Sequence, residues 1–591
     1  MRTRARAAAA AVLAVAGGLA ASAPASAAGD PIMPLSEVQP GMVGEARTVV
    51  QGTEIVTFPV RVLDVQRSFD GPGGSLVLAR AEGPLMEQTG GVAEGMSGSP
   101  VYVTGADGVP RVIGAIAYGT GDQANVIAGI TPIEQMIDSS SGHRANEVAP
   151  RAARRAQRVA DRAAARALER RDPSRIGVYP LARWALSGVS RPLVGPLARE
   201  LQRSGITLSS VGPRTPRPEV PLVPGASMTA MLAGGDLTLG AVGTVTYVDG
   251  TTVLGFGHPF LSAGASRFLL GDGYVYQTIP APIAGGSYKL AEPGNLRGMV
   301  IRDSSDGLTG RLGPVDGISA TATAVDTGRG TRSVVQAVLA PDERTAPIVG
   351  GLLQDEPAFR VRDGVGGGTL TLHVSITSPD LPQPVRYRNV YAAAGDVASL
   401  ASGEVPRIMA ILMQNGVRSV RITSLSVSET LEPRIRAARI VGASVEPRKA
   451  RPGSRATLVL RVQPWRGAAR PVRVPFRVPA GGGKVTTVRV IPSSTDGFDP
   501  LPADLTQDLG ASTGLAARTK AVTAAERAAR RQSGTRLERL VAGMRRTLEP
   551  RHDAVRVLGP GEDPEDPEAG ATVPVPWVIY GGRAVVRIPR P

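Results

Sequence analysis

The sequence predicts a mainly β protein of several lobes with helical segments between and after them. Three observations carry that expectation. Short Val/Ile/Leu-rich runs broken by Gly and Pro recur along most of the chain, the spacing of small barrels and sandwiches. Two stretches, from Arg144 to Arg175 and from Lys520 to Leu548, interrupt the pattern with Ala/Arg-rich helix formers. The 591 residues, 42% apolar and 20% charged, have ordinary globular usage. At about 100 to 200 residues per domain they fill roughly three to five domains.

The elements follow in order. Met1–Arg6 carries three arginines, Ala7–Ala20 is an uncharged apolar run, and Ala25-Ser26-Ala27 is a small-x-small cleavage signal. Residues 1–28 therefore read as a secretory signal peptide whose apolar core is too short to span a bilayer. No later stretch reaches about 18 uninterrupted apolar residues, so no transmembrane helix is expected after cleavage. The mature protein is expected outside the bacterial cytoplasm, secreted or in the cell envelope. Residues 29–142 hold the runs TVVQG, IVTFPVRVLDV, SLVLARA, SPVYVTG, RVIGAIAYG and NVIAGITPI, a first β lobe closed by a short helix at Ile133–Ile137. Residues 143–224 read as a basic helical linker, and 225–380 as a second β lobe containing GAVGTVTYVDGTTVLGFGHPF. Residues 381–433 look mixed α/β. In 434–500 the strict alternation of apolar and polar side chains reads as an immunoglobulin-like sandwich without its cysteine pair. Residues 501–591 form a small helical and β tail with a last strand near Ala584-Val585-Val586.

Composition then removes whole classes of chemistry. The chain has no cysteine, which excludes disulfides, thiolate metal sites, iron–sulfur clusters and a cysteine nucleophile. No His/carboxylate cluster has ligand spacing and no Gly-rich loop carries a phosphate-binding Lys, so neither metal nor cofactor is expected. The net charge of +16 is nearly all arginine. An anionic envelope polymer is a partner that such charge would suit. Nucleic acid is not expected, because the basic run from Arg144 to Arg175 has no aromatic residue for base stacking and export takes it away from DNA. The same run, long and arginine-rich, is expected to be a proteolytic cleavage region that controls how the two lobes dock.

Two short motifs can carry chemistry. In Gly95-Met96-Ser97-Gly98-Ser99-Pro100 a serine sits between glycines, where a tight turn can converge backbone N–H groups beside the hydroxyl. In Gly255-Phe256-Gly257-His258-Pro259-Phe260 a histidine follows a hairpin turning at Asp249-Gly250. A strand end can present an imidazole to a cleft, and serine needs such a base to become nucleophilic at neutral pH. Of the four histidines, His143 and His552 lie beside basic helices and His373 lies inside a strand. His258 alone has the loop context.

These two motifs, with GTVTYVDG before the histidine and TGGVAEG before the serine, resemble the SpoIVB-type serine peptidases, named for stage IV sporulation protein B. The resemblance spans about Pro31–Ile137 and Gly225–Gly313. It implies a chymotrypsin-like double β-barrel with lobe order permuted, since here the serine precedes the histidine, and triads are defined by geometry rather than chain order. It further implies Ser97 as nucleophile, His258 as general base, and the Gly95 and Ser97 amides as the oxyanion hole. Ala117, Tyr118 and Gly119 become the substrate-pairing strand, and a protein or peptide the substrate. The acid is open between Asp303, ranked first for its His-to-Asp spacing, and Glu82, whose position matches the family's aspartate but whose longer side chain shifts the carboxylate. Beside the peptidase stand two other readings: a catalytically inactive relative that binds or scaffolds at the envelope, and a structural surface protein in which GMSGSP is only a turn.

Overall fold

The computed structural model describes residues 29–67, 74–120, 126–141, 179–203, 207–212, 215–280, 286–362, 366–481, 483–500, 520–525, 535–548, 550–566 and 569–591. The expected signal peptide and the arginine-rich run up to residue 178 lie outside the described residues.

Strands β1 (Val43–Val49), β2 (Ile55–Arg67), β3 (Ser75–Ala81), β4 (Ser99–Thr104), β5 (Pro110–Gly119) and β6 (Ile127–Pro132) pair in the order β4-β1-β2-β3-β6-β5, and a β4–β5 pairing closes the ring. The expected first lobe is thus a closed six-stranded barrel. Its side-chain alternation follows the strand period of two: Phe58, Val60 and Val62 are buried, whereas Thr57, Pro59 and Arg61 between them are exposed. Helix α1 (Pro84–Thr89) precedes the serine loop. Helix α2 (Ile133–Ser141) closes the barrel where the short helix was expected and runs on to Ser141.

The stretch expected as a helical linker also contains β structure. Its described part holds β7 (Tyr179–Pro180), β8 (Arg183–Ser187), the helix Arg191–Arg203 and β9 (Leu208–Ser210). Strand β7 adds to the first barrel beside β5, and β8 pairs with a strand of the second lobe. Pro180 and the brevity of these strands hid them from a pattern reading, because each is completed only by a distant partner.

Strands β10 (Ser227–Gly235), β11 (Thr238–Asp249), β12 (Thr252–Gly255), β13 (Gly264–Ile279), β14 (Tyr288–Ser304) and β15 (Gly307–Leu312) run β10-β13-β14-β15-β12-β11, and a β10–β11 pairing closes this ring too. The expected hairpin joins β11 to β12 with Asp249 opposite Thr252, so its loop is Gly250-Thr251, one residue later than expected. From β10 the sheet continues through β16 (Ile318–Asp326), β17 (Thr331–Leu339), β18 (Gly368–Thr377), β19 (Val385–Ala393) and β20 (Ser424–Glu432), ordered β17-β16-β20-β18-β19. Strand β20 inserts between β16 and β18, so the segments 225–380 and 381–433 share one sheet.

Beyond it, one four-stranded sheet combines Ala437–Glu446, Arg455–Pro464, Arg470–Arg477 and Val578–Gly582; a second combines Val485–Pro492, Ala554–Leu558, Ala571–Pro574 and Ala584–Pro589. Both contribute to one apolar cluster containing Leu458, Val488, Val557, Trp577 and Ile588, so the tail completes the β unit begun at 434. Among the described residues no helix is long and apolar enough to cross a membrane.

The helix Ala346–Arg362 packs into the large core with Asp355 buried, and Glu429 of β20 is buried nearby, accepting from Gln354 Nε2 at 3.3 Å. Burial pushes Asp355 up to about 7 and Glu429 up to about 8. A carboxyl whose folded pKa is raised supports stability fully below its unfolded value and loses that support as pH rises through the folded one. Glu429→Gln is therefore expected to raise the melting temperature at pH 9 relative to wild type and to change it little at pH 4, as differential scanning calorimetry at the two pH values would reveal.

Candidate functional site

The serine loop lies between α1 and β4 and leans on the other barrel. Thr244 N–H donates to the Ser97 carbonyl at 2.7 Å, Thr246 Oγ1 to the Gly98 carbonyl at 2.8 Å, and Thr244 Oγ1 to the Gly95 carbonyl at 3.3 Å. Gly98 N–H donates to the Ile116 carbonyl of β5 at 2.7 Å. Gly98 has φ +94° and a Cβ there would sit 1.9 Å from the Thr244 carbonyl oxygen, so glycine is required on both backbone and steric grounds. Ser97 is fully buried.

The histidine loop leaves β12 and leans the opposite way. Thr131 Oγ1, at the end of β6, donates to the Gly257 carbonyl at 2.6 Å. Phe256, a non-glycine residue, holds φ +67° immediately before it, local strain that packing must maintain. The His258 ring sits between Phe256 (centroids 5.8 Å, edge-on) and Tyr118 (6.2 Å, tilted). Its Nδ1 lies 2.8 Å from the Pro259 carbonyl oxygen. A carbonyl can only accept, so this bond places the proton on Nδ1 and leaves Nε2 as a bare lone pair.

Two atoms in this region lack partners. Among the described residues Ser97 Oγ and His258 Nε2 are both buried and make no hydrogen bond, to each other or to another group. Buried polar side-chain atoms are nearly always paired, so an orphaned hydroxyl and an orphaned imidazole nitrogen on adjoining loops call for an explanation. Burial pushes the His258 pKa down to about 4, with the Pro259 bond opposing, so the ring is neutral around pH 7.

The two acid candidates lie elsewhere in the network. Asp303, at the end of β14, accepts from the amides of Phe260 (2.7 Å), Leu261 (2.7 Å) and Ala263 (3.0 Å). It organises the loop that follows His258 and makes no hydrogen bond to the ring, whose Nδ1 is satisfied by Pro259. Burial pushes the Asp303 carboxyl up while its three amide donors pull it down. Glu82 pairs with Arg61 at 3.2 Å near the end of β3, with a third of its side chain exposed. Of the oxyanion candidates, Gly95 N–H already donates to the Leu181 carbonyl at 3.0 Å, whereas the Ser97 N–H has no acceptor among the described residues. Ala117, Tyr118 and Gly119 lie at the end of β5, where β7 pairs with Tyr118 and Gly119 and the Leu181 N–H donates to the Ala117 carbonyl.

Three features beside the site, a lysine, an ion pair and a leucine, were missed by sequence reasoning. Lys289 is buried with its stem against Gly95 and its Nζ 3.0 Å from Thr48 Oγ1; burial pushes its ammonium down to about 7. A signal existed, because it is one of four lysines in a chain whose cations are otherwise arginine. Glu94 and Arg183 form a largely buried ion pair at 2.8 Å beside the serine loop, with the Arg183 guanidinium 3.8 Å over the Tyr288 ring. No local pattern joins residues so far apart. The third is Leu181, fully buried. A cavity of about 350 Å³ lined by Thr53, Arg217, Glu219, Tyr274 and Glu292 includes no residue of either loop.

Two closed rings with a serine loop and a histidine loop braced across them define a mainly β protein with a candidate hydrolytic centre. Residues 13–137 match the SpoIVB peptidase S55 family, the family that the motifs resemble. The match takes in the whole first barrel with Ser97 and ends before His258. The similarity is thus to the first barrel alone. No curated protein and no solved structure matches the chain.

Because Gly98 has no room for a side chain, Gly98→Ala is expected to destabilise the protein by about 2 kcal/mol or more. Chemical denaturation would measure this, and a variant as stable as wild type would contradict the packing described.

Proposed function

We propose that the chain is a secreted serine endopeptidase that hydrolyses peptide bonds through an acyl-enzyme on Ser97. The observation that carries this reading is the buried, unpartnered pair of Ser97 Oγ and His258 Nε2 on loops stitched across the two barrels. The Nδ1 bond to Pro259 sets the tautomer a general base needs. Nε2 takes the hydroxyl proton as Oγ attacks the carbonyl carbon, then returns it to the departing amine; water releases the acyl group by the same path. The amides of Gly95 and Ser97 receive the developing oxyanion. Asp303 is a positioning residue in this scheme, holding the loop after His258 rather than the ring itself. A first barrel from the S55 family followed by a second six-stranded ring supports a chymotrypsin-like double barrel with the serine lobe first.

A catalytically silent envelope-binding relative is the second reading. Its favouring observation is that Ser97 and His258 make no mutual hydrogen bond. Catalytic hydrogen bonds are often long in a resting enzyme and tighten only with substrate, so this alone does not decide against chemistry.

A fluorophosphonate probe is expected to label Ser97, with labelling lost in Ser97→Ala. His258→Gln is expected to lower kcat/KM for a peptide substrate by roughly 10³-fold or more. Absence of label in folded wild type under all conditions would favour the silent reading.

The pH profile supplies a further prediction. A general base works only when unprotonated, so activity falls below its pKa. With His258 held low by burial, the acid limb of kcat/KM is expected below the ordinary imidazole value of 6.5, toward pH 4. A limb at or above 6.5 would mean the imidazole is solvated in the working state.

A further inference from the structure

The strand β7 and the residue after it occupy the cleft that the serine-peptidase reading assigns to substrate. Tyr118 is opposite Pro180 and Gly119 opposite Tyr179 in antiparallel register. Leu181 N–H donates to the Ala117 carbonyl at 3.0 Å, and the Leu181 carbonyl accepts from Gly95 N–H at 3.0 Å. The chain therefore runs antiparallel along the three residues assigned to substrate pairing and sets one carbonyl oxygen on an assigned oxyanion donor, two residues from Ser97. The unpaired Ser97 N–H is the second donor of that hole.

Side chains on both flanks fix this register. Leu181 is fully buried and belongs to the apolar cluster of the first barrel, with Val92, Met96 and Ile116, although the next strand, β8, joins the second barrel. On the other flank Arg183 is anchored by Glu94, next to Gly95, and by the Tyr288 ring. One buried anchor lies before the Leu181–Ala182 peptide and one after it, with the serine loop between.

We infer that the Leu181–Ala182 bond is this chain's own cleavage site and that, until it is cut, Tyr179–Leu181 covers the acyl side of the cleft. The inference rests on the serine-peptidase reading and deepens it. Ser97 Oγ bonds to the Leu181 carbonyl carbon while its proton passes to His258 Nε2. The C–N bond to Ala182 breaks as that proton moves to the Ala182 nitrogen, and water then cleaves the ester to leave a Leu181 carboxylate and free Ser97. The cut falls inside the stretch expected as a linker, just after the arginine run and at a leucine rather than within that run. Substrates in trans are expected to carry a leucine-sized apolar residue on the acyl side of the cut, because Leu181 fills that position here.

The test is incubation of the purified full-length secreted protein, followed by intact mass and N-terminal sequencing. The expected products are a fragment ending at Leu181 and one beginning Ala182-Arg183-Trp184. Formation of both is expected to be lost in Ser97→Ala. It is also expected to be lost in Ala182→Pro, where a ring nitrogen replaces the amide that must leave while residue 181 keeps its extended backbone. Leu181→Glu, which puts a charge where the pocket is apolar and so expels the segment from the cleft, is expected to lose the cut and still be labelled at Ser97 by fluorophosphonate. Its fold is checked by a cooperative melt, and Ala182→Pro carries the test if that variant does not fold. Labelling of Ser97 and hydrolysis of a leucine-containing peptide by wild type without an Ala182 terminus would overturn the self-cleavage and leave the peptidase standing. A cut that persists in Ser97→Ala would overturn it as well. Absence of both label and peptide hydrolysis in wild type and variants would remove the two proposals together.

Discussion

The candidate site depends on a reciprocal bracing of two barrels, each of which holds the other's serine or histidine loop. Thr244 and Thr246 on β11 of the second barrel fix the carbonyls of Gly95, Ser97 and Gly98 in the first, and Thr131 on β6 of the first fixes the carbonyl of Gly257 in the second. Each bond is worth only about 0.5–1.5 kcal/mol net. Their importance is geometric, because neither loop has regular structure and each would otherwise sample many conformations. Contact is close enough that glycine is required on both sides: a Cβ at Gly98 would meet Thr244, and one at Gly257 would lie 2.9 Å from the Ala117 Cβ. Glycines that read in the sequence as turn residues are therefore interface residues as well.

The same bracing explains how the histidine is oriented without a carboxylate on its ring. In a triad of the usual kind the acid both selects the tautomer and supports the developing imidazolium. Here the Pro259 carbonyl selects the tautomer, and Asp303 acts one step away by gathering the amides of Phe260, Leu261 and Ala263. A carbonyl dipole supports an imidazolium less than a full charge does. Support from a distance still matters in a buried site, where the effective dielectric is low.

Much of this was legible in the sequence, and the parts that were not share one cause. Glycine spacing around Ser97, the Asp249-Gly250 turn and the strand-end position of His258 are local signals, and the structure places both loops against one another. The six strand runs of the first barrel were readable because period-two alternation is local too. Asp303 was singled out through its spacing from His258, but spacing cannot say which atoms a carboxylate will face. Lys289, the Glu94–Arg183 pair and Leu181 were not legible because their significance comes from partners on another barrel. Strands β7 to β9 were hidden in a stretch whose dominant signal was the arginine-rich run before them. The tail escaped as a separate unit because its strands finish sheets begun nearly a hundred residues earlier.

The orphaned atoms and the occupied cleft can be read as one physical state. Tyr118 pairs with Pro180 in β7, and its ring lies 6.2 Å from that of His258, so one residue touches both the proposed covering segment and the histidine's surroundings. His258 is fully buried, and burial dominates the downward shift of its pKa. Removing the segment would free the Gly95 amide, which donates to the Leu181 carbonyl in this structure. Through Tyr118 and Gly95, Tyr179–Leu181 thus lies against the surroundings of both motifs that the serine-peptidase reading requires.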